Sequence, residues 1–147
     1  MLLGYYTANI DDKWRLAVPS RIRRELGQEL VVARWYEGCL LLIGKLSWQE
    51  MVSRLTGGIM ATLSARDTDR FLLAGSFETE LDKQGRFVVP VELRDYAYLK
   101  NEVIFAALGD KIEIWNKKNW EEREKLVINQ ASEKVEELYR QNKKGEK

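Results

Sequence analysis

The sequence predicts a β-rich α+β fold made of two copies of one small unit, on three observations. Residues 11–26 read DDKWRLAVPSRIRREL and residues 82–97 read DKQGRFVVPVELRDYA, so the chain repeats itself at a spacing of 71. Short apolar runs alternate with polar turns, the pattern of strands rather than of long helices. Each copy then carries a proline, Pro19 or Pro90, at the head of a short helix-like run, where a missing N–H costs little. At this offset the frame runs without a gap from Gly4 and Gly75 to Ile43 and Ile114. A duplicated unit this small cannot bury a core alone and must pack on its twin, so the pair is the unit of function.

The elements follow in order. Leu3–Ile10 and Phe77–Leu81 read as strands, DDKW and DKQG as turns, and Arg15–Val18 and Arg86–Val89 as second strands, so each copy opens with a predicted β-hairpin. The short helices are SRIRREL and VELRDYA; Ile22 and Leu26 stand four apart on one face, and Gly27 is the stop signal. Two more strands follow in each copy, Leu30–Trp35 with Cys39–Ile43 and Glu102–Leu108 with Lys111–Trp115, turning at Gly38 and Gly109. Ser47-Trp48-Gln49-Glu50 has capping-box spacing for the next helix, and Thr56-Gly57-Gly58 breaks it. Ser64 opens a helix through Leu73 that Gly75 ends. The last helix runs from about Lys118 to Tyr139, with Trp120, Val127, Ala131, Val135 and Leu138 at helical spacing. This stripe is expected to pack on the chain's own sheet, with a share at an interface. The resulting division is a first repeat with its helix over 1–55, a connecting helical segment over 56–75, a second repeat with its C-terminal helix over 76–142, and a flexible tail over 143–147.

Composition narrows the function classes. The 147 residues include no histidine, which removes the commonest general base and the commonest metal ligand. There is no glycine-rich phosphate loop, no cysteine pair and no hydroxyl nucleophile beside an evident base, so no enzyme, metal site, cofactor or small-molecule substrate is expected. Cys39 is the single cysteine; it lies among apolar neighbours and reads as a buried small side chain, in keeping with a reducing cytoplasm. No signal peptide and no membrane-spanning run is expected. Glu113 alternates with Ile112 and Ile114 and so faces outward from its strand. Net charge is +1, yet residues 13–24 hold Lys13, Arg15, Arg21, Arg23 and Arg24 with no acid, so a near-neutral protein carries a basic patch.

The chemistry centres on Asp11-Asp-Lys-Trp-Arg15 and Asp82-Lys-Gln-Gly-Arg86. Both fit D-x-x-x-R across a hairpin tip, where Asp and Arg face each other and can touch. Asp11 and Asp82 would then hold the guanidinium groups of Arg15 and Arg86 extended, a form suited to phosphate or a guanine edge. Lys13 and Lys83 stand on the loops and can add phosphate contacts. Gln84, Trp14, Arg21, Arg23 and Arg24 are further candidates. Trp14 reads as an exposed, adaptable ring able to stack on a sugar or base. The three helix arginines could equally pair with acids of a neighbouring subunit.

With these motifs in view, the chain resembles the MraZ family of bacterial DNA-binding regulators, through MLLGYYTANIDDK, RLAVPSRIRREL, DKQGR with VVPVELRDYA, and GDKIEIWNKKNWEE. The resemblance implies an AbrB-like swapped-hairpin fold, with two pseudo-symmetric repeats forming an interlocked barrel and helices flanking it. It implies ring-shaped homo-oligomers that bind repeated boxes of double-stranded DNA in the promoter of their own division and cell-wall gene cluster, in the cytoplasm and on the nucleoid. It also implies that Lys13, Arg15, Lys83 and Arg86 contact DNA, with Asp11 and Asp82 as supports. The alternative is a non-enzymatic interaction protein or an antitoxin-like DNA-binding partner. One departure stands out: Trp14 occupies a position where the family usually has glycine, kept here as Gly85. A left-handed backbone at Trp14 would cost roughly 1–2 kcal/mol, so the two tips are expected to differ in shape.

Overall fold

The structure is a computed structural model that describes residues 1–55 and 62–145. The predicted break at Thr56-Gly57-Gly58 lies outside the described residues. The chain divides into two units, Met1–Asn116 and Lys117–Lys147.

In the first unit, β1 (Tyr5–Asn9), β2 (Arg15–Ala17), α1 (Ser20–Leu26), β3 (Glu29–Arg34) and β4 (Leu40–Gly44) make the first repeat. α2 (Lys45–Leu55) and α3 (Leu63–Leu72) follow, and then β5 (Ser76–Glu80), β6 (Arg86–Val88), α4 (Val91–Tyr96), β7 (Glu102–Ala107) and β8 (Lys111–Asn116) repeat the order. α2 begins at Lys45, so Ser47 stands inside the helix rather than ahead of it. α3 is capped by Thr62, whose hydroxyl accepts from the Ala65 N–H at 3.1 Å, two residues before the expected Ser64.

The predicted hairpins pair within themselves only beside the tips, Asp11 N–H to Arg15 C=O at 3.0 Å and Asp82 N–H to Arg86 C=O at 2.9 Å. A single bridge, Ile10 to Leu16, joins the arms of the first, and each strand then pairs with the other repeat. β1 runs antiparallel to β7, β5 antiparallel to β3, and β2 antiparallel to β6. The reason is burial: three-residue β2 and β6 each turn one apolar side chain, Leu16 and Phe87, into the core, and only the partner repeat supplies the matching strand. The strands make an open six-stranded sheet in the order β1-β7-β8-β4-β3-β5 and a separate two-stranded ribbon, β2-β6. Hydrogen bonding among these strands does not close a barrel, because β1 and β5 remain as sheet edges.

The gapless frame also ends at the first helix. β3 and β7 share one burial pattern, yet β7 starts 73 residues after β3 rather than 71. Two residues separate α1 from β3, whereas Ala97–Asn101 separate α4 from β7, and the turn before β8 is correspondingly shorter than that before β4. Alternation restricts such a slip to an even number of residues. Leu30 and Val32 face the same core cluster as Val103 and Phe105, and an odd slip would turn them to the opposite face.

The sheet has a core on each side. Leu30, Val32, Leu40, Leu42, Val103, Phe105, Ile112 and Ile114 meet the inner residues of the ribbon together with Ile22 and Leu93 of α1 and α4. On the other face Val31, Ala33, Leu41 and Ile43 pack with Trp48 and Leu72 of α2 and α3. Cys39 is fully buried, as its apolar neighbours predict. Glu113 is only partly outward: it accepts from Trp115 Nε1 at 3.0 Å, and burial raises its pKa.

The second unit is α5 (Lys117–Gly145), which runs past both ends of the expected helix and into the predicted tail. Val127, Val135 and Leu138 are exposed along it, and Trp120 is half-buried.

Candidate nucleic-acid interface

Each hairpin tip is built by its aspartate. Asp11 Oδ1 accepts from the backbone N–H groups of Lys13 (2.9 Å) and Arg15 (2.8 Å), and Asp82 Oδ1 accepts from Gln84 and Arg86 (2.9 Å each). The backbone closes the same loop in both copies, Trp14 N–H to Asp11 C=O at 3.0 Å and Gly85 N–H to Asp82 C=O at 2.9 Å. The second carboxylate oxygen takes the arginine: Arg15 Nε to Asp11 Oδ2 at 2.6 Å and Arg86 Nε to Asp82 Oδ2 at 3.0 Å. The backbone hydrogen bond from the arginine is the main reason both carboxyls sit below the ordinary aspartate value of 3.8, against the opposing effect of desolvation. Because Asp takes Nε, the two Nη groups of each guanidinium keep no protein partner among the described residues. They are aimed and available.

The ribbon sets the two arginines on one surface. Arg15 lies opposite Val88, Leu16 opposite Phe87, and Ala17 opposite Arg86. Residues opposite each other share a face, and faces alternate along a strand. Leu16 (0% exposed) and Phe87 (3%) point into the core, so Arg15, Ala17, Arg86 and Val88 all point out. Arg15 and Arg86 are diagonal neighbours there, about 7–8 Å apart at the backbone. Backbone bonds from Val18 N–H to Gly85 C=O and from Val89 N–H to Trp14 C=O, both 2.9 Å, extend the ribbon at each end. Each tip is thereby tied to the start of the other repeat's short helix.

The expected difference between tips is overturned. Trp14 has φ 60° and Gly85 φ 75°, so both loops take the left-handed turn. The two backbone N–H bonds to Asp11 fix the loop shape, and the tryptophan yields to it. Trp14 is also neither exposed nor on the outer face. It has the parity of Leu16, packs half-buried against the core, and carries Arg94 of α4 over its ring at 4.0 Å. Burial and a cation–π contact of roughly 0.5–2 kcal/mol offset the backbone strain. The equivalent contact in the other half is made without an aromatic ring. Arg23 of α1 lies over Gly85, so close that a Cβ there would collide with the Arg23 guanidinium.

The remaining candidates divide. Lys13, Lys83, Gln84, Arg21 and Arg24 are exposed, whereas Arg23 is half-buried against the second tip. Arg23 Nε and Arg94 Nη1 are buried without a hydrogen-bond partner, the same cost at equivalent positions of both repeats. Sequence reasoning did not single out Arg94, which touches the first tip, or Ala17 and Val88, which share the ribbon's outer face with the arginines. Arg94 was visible as the repeat of Arg23, and Ala17 and Val88 as the outward positions in the alternation R-L-A-V and R-F-V-V. Among the described residues no group of three or more His, Cys, Asp or Glu could hold a metal ion, and no helix is long and apolar enough to cross a membrane.

Known proteins share this repeat. The family described as "MraZ protein, putative antitoxin-like" matches residues 1–71 and again residues 72–142. The protein named transcriptional regulator MraZ from Oenococcus oeni is 39% identical over 122 residues, covering 83% of this chain and 85% of its own length. The protein of that name from Thermoanaerobacter sp. is 38% identical over the same shares of both chains. That from Caldicellulosiruptor saccharolyticus is 36% identical over 141 residues, 94% of this chain and 99% of its own.

Proposed function

We propose, from the premise that the chain belongs to the MraZ family, that it is a transcriptional regulator that binds double-stranded DNA in a sequence-specific way. The reading rests on one observation: two Asp-anchored arginines leave the same exposed face of one short ribbon. Arg15 and Arg86 offer free Nη pairs to guanine edges or phosphates, and Lys13 and Lys83 reach phosphates from the loop tips. Asp11 and Asp82 support the loops and do not touch DNA. The cross-repeat pairing favours an interlocked swapped-hairpin body, with the divisions 1–55, 56–75 and 76–142 as first repeat, connector and second repeat.

In this reading several copies assemble as a ring and engage repeated promoter boxes of the protein's own division and cell-wall gene cluster. Weak contacts then sum, because binding of one ribbon raises the effective concentration of the next. The protein works in the cytoplasm, on the nucleoid, as a binder and not an enzyme. The test is a titration of DNA from upstream of its own gene across salt concentrations. Each phosphate bound steepens the log–log salt slope by about 0.9. Steep salt dependence supports the reading, and a binding constant flat across salt contradicts it.

A further inference from the structure

The outer face of the β2–β6 ribbon is not uniformly basic. Between Arg15 and Arg86, on the opposite diagonal of the same four-residue patch, stand Ala17 and Val88, both exposed, with Val88 at 58%. A surface built only to grip phosphates would place donors at all four corners. Here two corners have no donor at all, and the valine offers exposed methyl groups on the face from which the arginines leave. In the major groove, which admits a two-stranded ribbon, the apolar feature on a base edge is the C5-methyl of thymine, and the feature that takes a bidentate arginine is O6 with N7 of guanine. The minor groove offers no such methyl.

We infer that Ala17 and Val88 are specificity-determining residues that pack on thymine C5-methyl groups in the major groove, between bases read by Arg15 and Arg86. The inference rests on the DNA-binding reading above and adds to it the groove, the base and the residues. Apolar contact with the methyl is short-ranged and insensitive to salt, so it separates from the phosphate contacts of Lys13 and Lys83.

The test uses the full chain and a duplex from upstream of its own gene, made once with thymine and once with deoxyuridine throughout, which removes only the methyl groups. The thymine probe is expected to bind more tightly by about fourfold for each methyl covered, with the same salt slope as the deoxyuridine probe. Val88→Ser and Ala17→Ser, both at exposed positions, should each shrink that ratio, and together bring it to one. Equal binding of both probes by the unmodified chain overturns the inference while leaving DNA binding intact. A ratio that persists in the double variant also overturns it, since the methyl then acts through duplex shape and not through these side chains. Failure of both probes to bind at low salt overturns the DNA-binding reading and the inference with it.

Discussion

The two hairpin tips have the same backbone and opposite surroundings. Both close with the same aspartate hydrogen bonds and the same left-handed third residue. What differs is the helix that the strand exchange brings to each. The second tip, with Lys83 and Arg86 against Asp82, is flanked by α1, which adds Arg21, Arg23 and Arg24 against Glu25. The first tip, with Lys13 and Arg15 against Asp11 and Asp12, is flanked by α4, which adds Arg94 between Glu92 and Asp95. One end of the ribbon is therefore strongly basic and the other close to neutral. The end with glycine relies on charge, and the end with tryptophan on packing. Duplication preserved the loop and let its neighbours diverge.

After loss of the ribbon arginines themselves, the largest expected effect sharpens this charge difference. Changing Arg21 and Arg24 together to Ala should weaken DNA binding roughly tenfold and flatten the salt slope by about 0.9 for each phosphate these arginines neutralise. The same change at Glu92, to Gln, should instead strengthen binding slightly. Fluorescence anisotropy against salt measures both, and equal effects at the two ends would erase the asymmetry.

Next come the third residues of the loops. Gly85→Ala should destabilise the fold by about 1–2 kcal/mol through its positive φ, and more because its Cβ collides with Arg23. Pairing it with Arg23→Ala should recover the collision and leave the backbone cost, as thermal unfolding of the single and double variants will report. Trp14→Gly is the converse. It relieves roughly 1–2 kcal/mol of strain but gives up roughly 2–3 kcal/mol from half the area of an indole and roughly 0.5–2 kcal/mol from the cation–π contact, for a net loss of about 2 kcal/mol. A Trp14→Gly variant more stable than the parent would show that the ring contributes nothing to the fold.

The smallest effect is on pH. Asp11 and Asp82 have folded pKa values below 3.8, so their contribution is complete above that pH and fades as pH falls through the depressed values. The amide resonances of Lys13 and Gln84, which donate to these carboxylates, should hold their positions at pH 4 and shift only under more acid conditions. A shift centred above pH 4 would mean that the loops are not anchored as described.

What the sequence disclosed follows the range of the interactions. The D-x-x-x-R loops and the Asp–Arg contacts were legible because five consecutive residues make them. Strand exchange was expected only through the family resemblance and not from the residues themselves, because Arg15–Ala17 is too short to choose between its own hairpin and the copy 71 residues away; the core under Leu16 and Phe87 chooses. The shift to 73 at β7 was hidden because valine, isoleucine and leucine match one another at any small slip, and a slip of two leaves inward and outward faces unchanged. Trp14 misled because backbone propensity alone omits the two hydrogen bonds that hold its loop. Ala17 and Val88 carry no charge to mark them, though the alternation had placed them beside the arginines.

The most direct measurement compares DNA binding by Arg15→Ala, Arg86→Ala and the double variant, each checked for unchanged thermal stability and assembly size. Each single change should weaken binding, Arg86→Ala more than Arg15→Ala, and the double change should abolish it at moderate salt with the fold intact. Binding by the intact double variant at the parent's strength would contradict the claim that this ribbon face is where DNA is held.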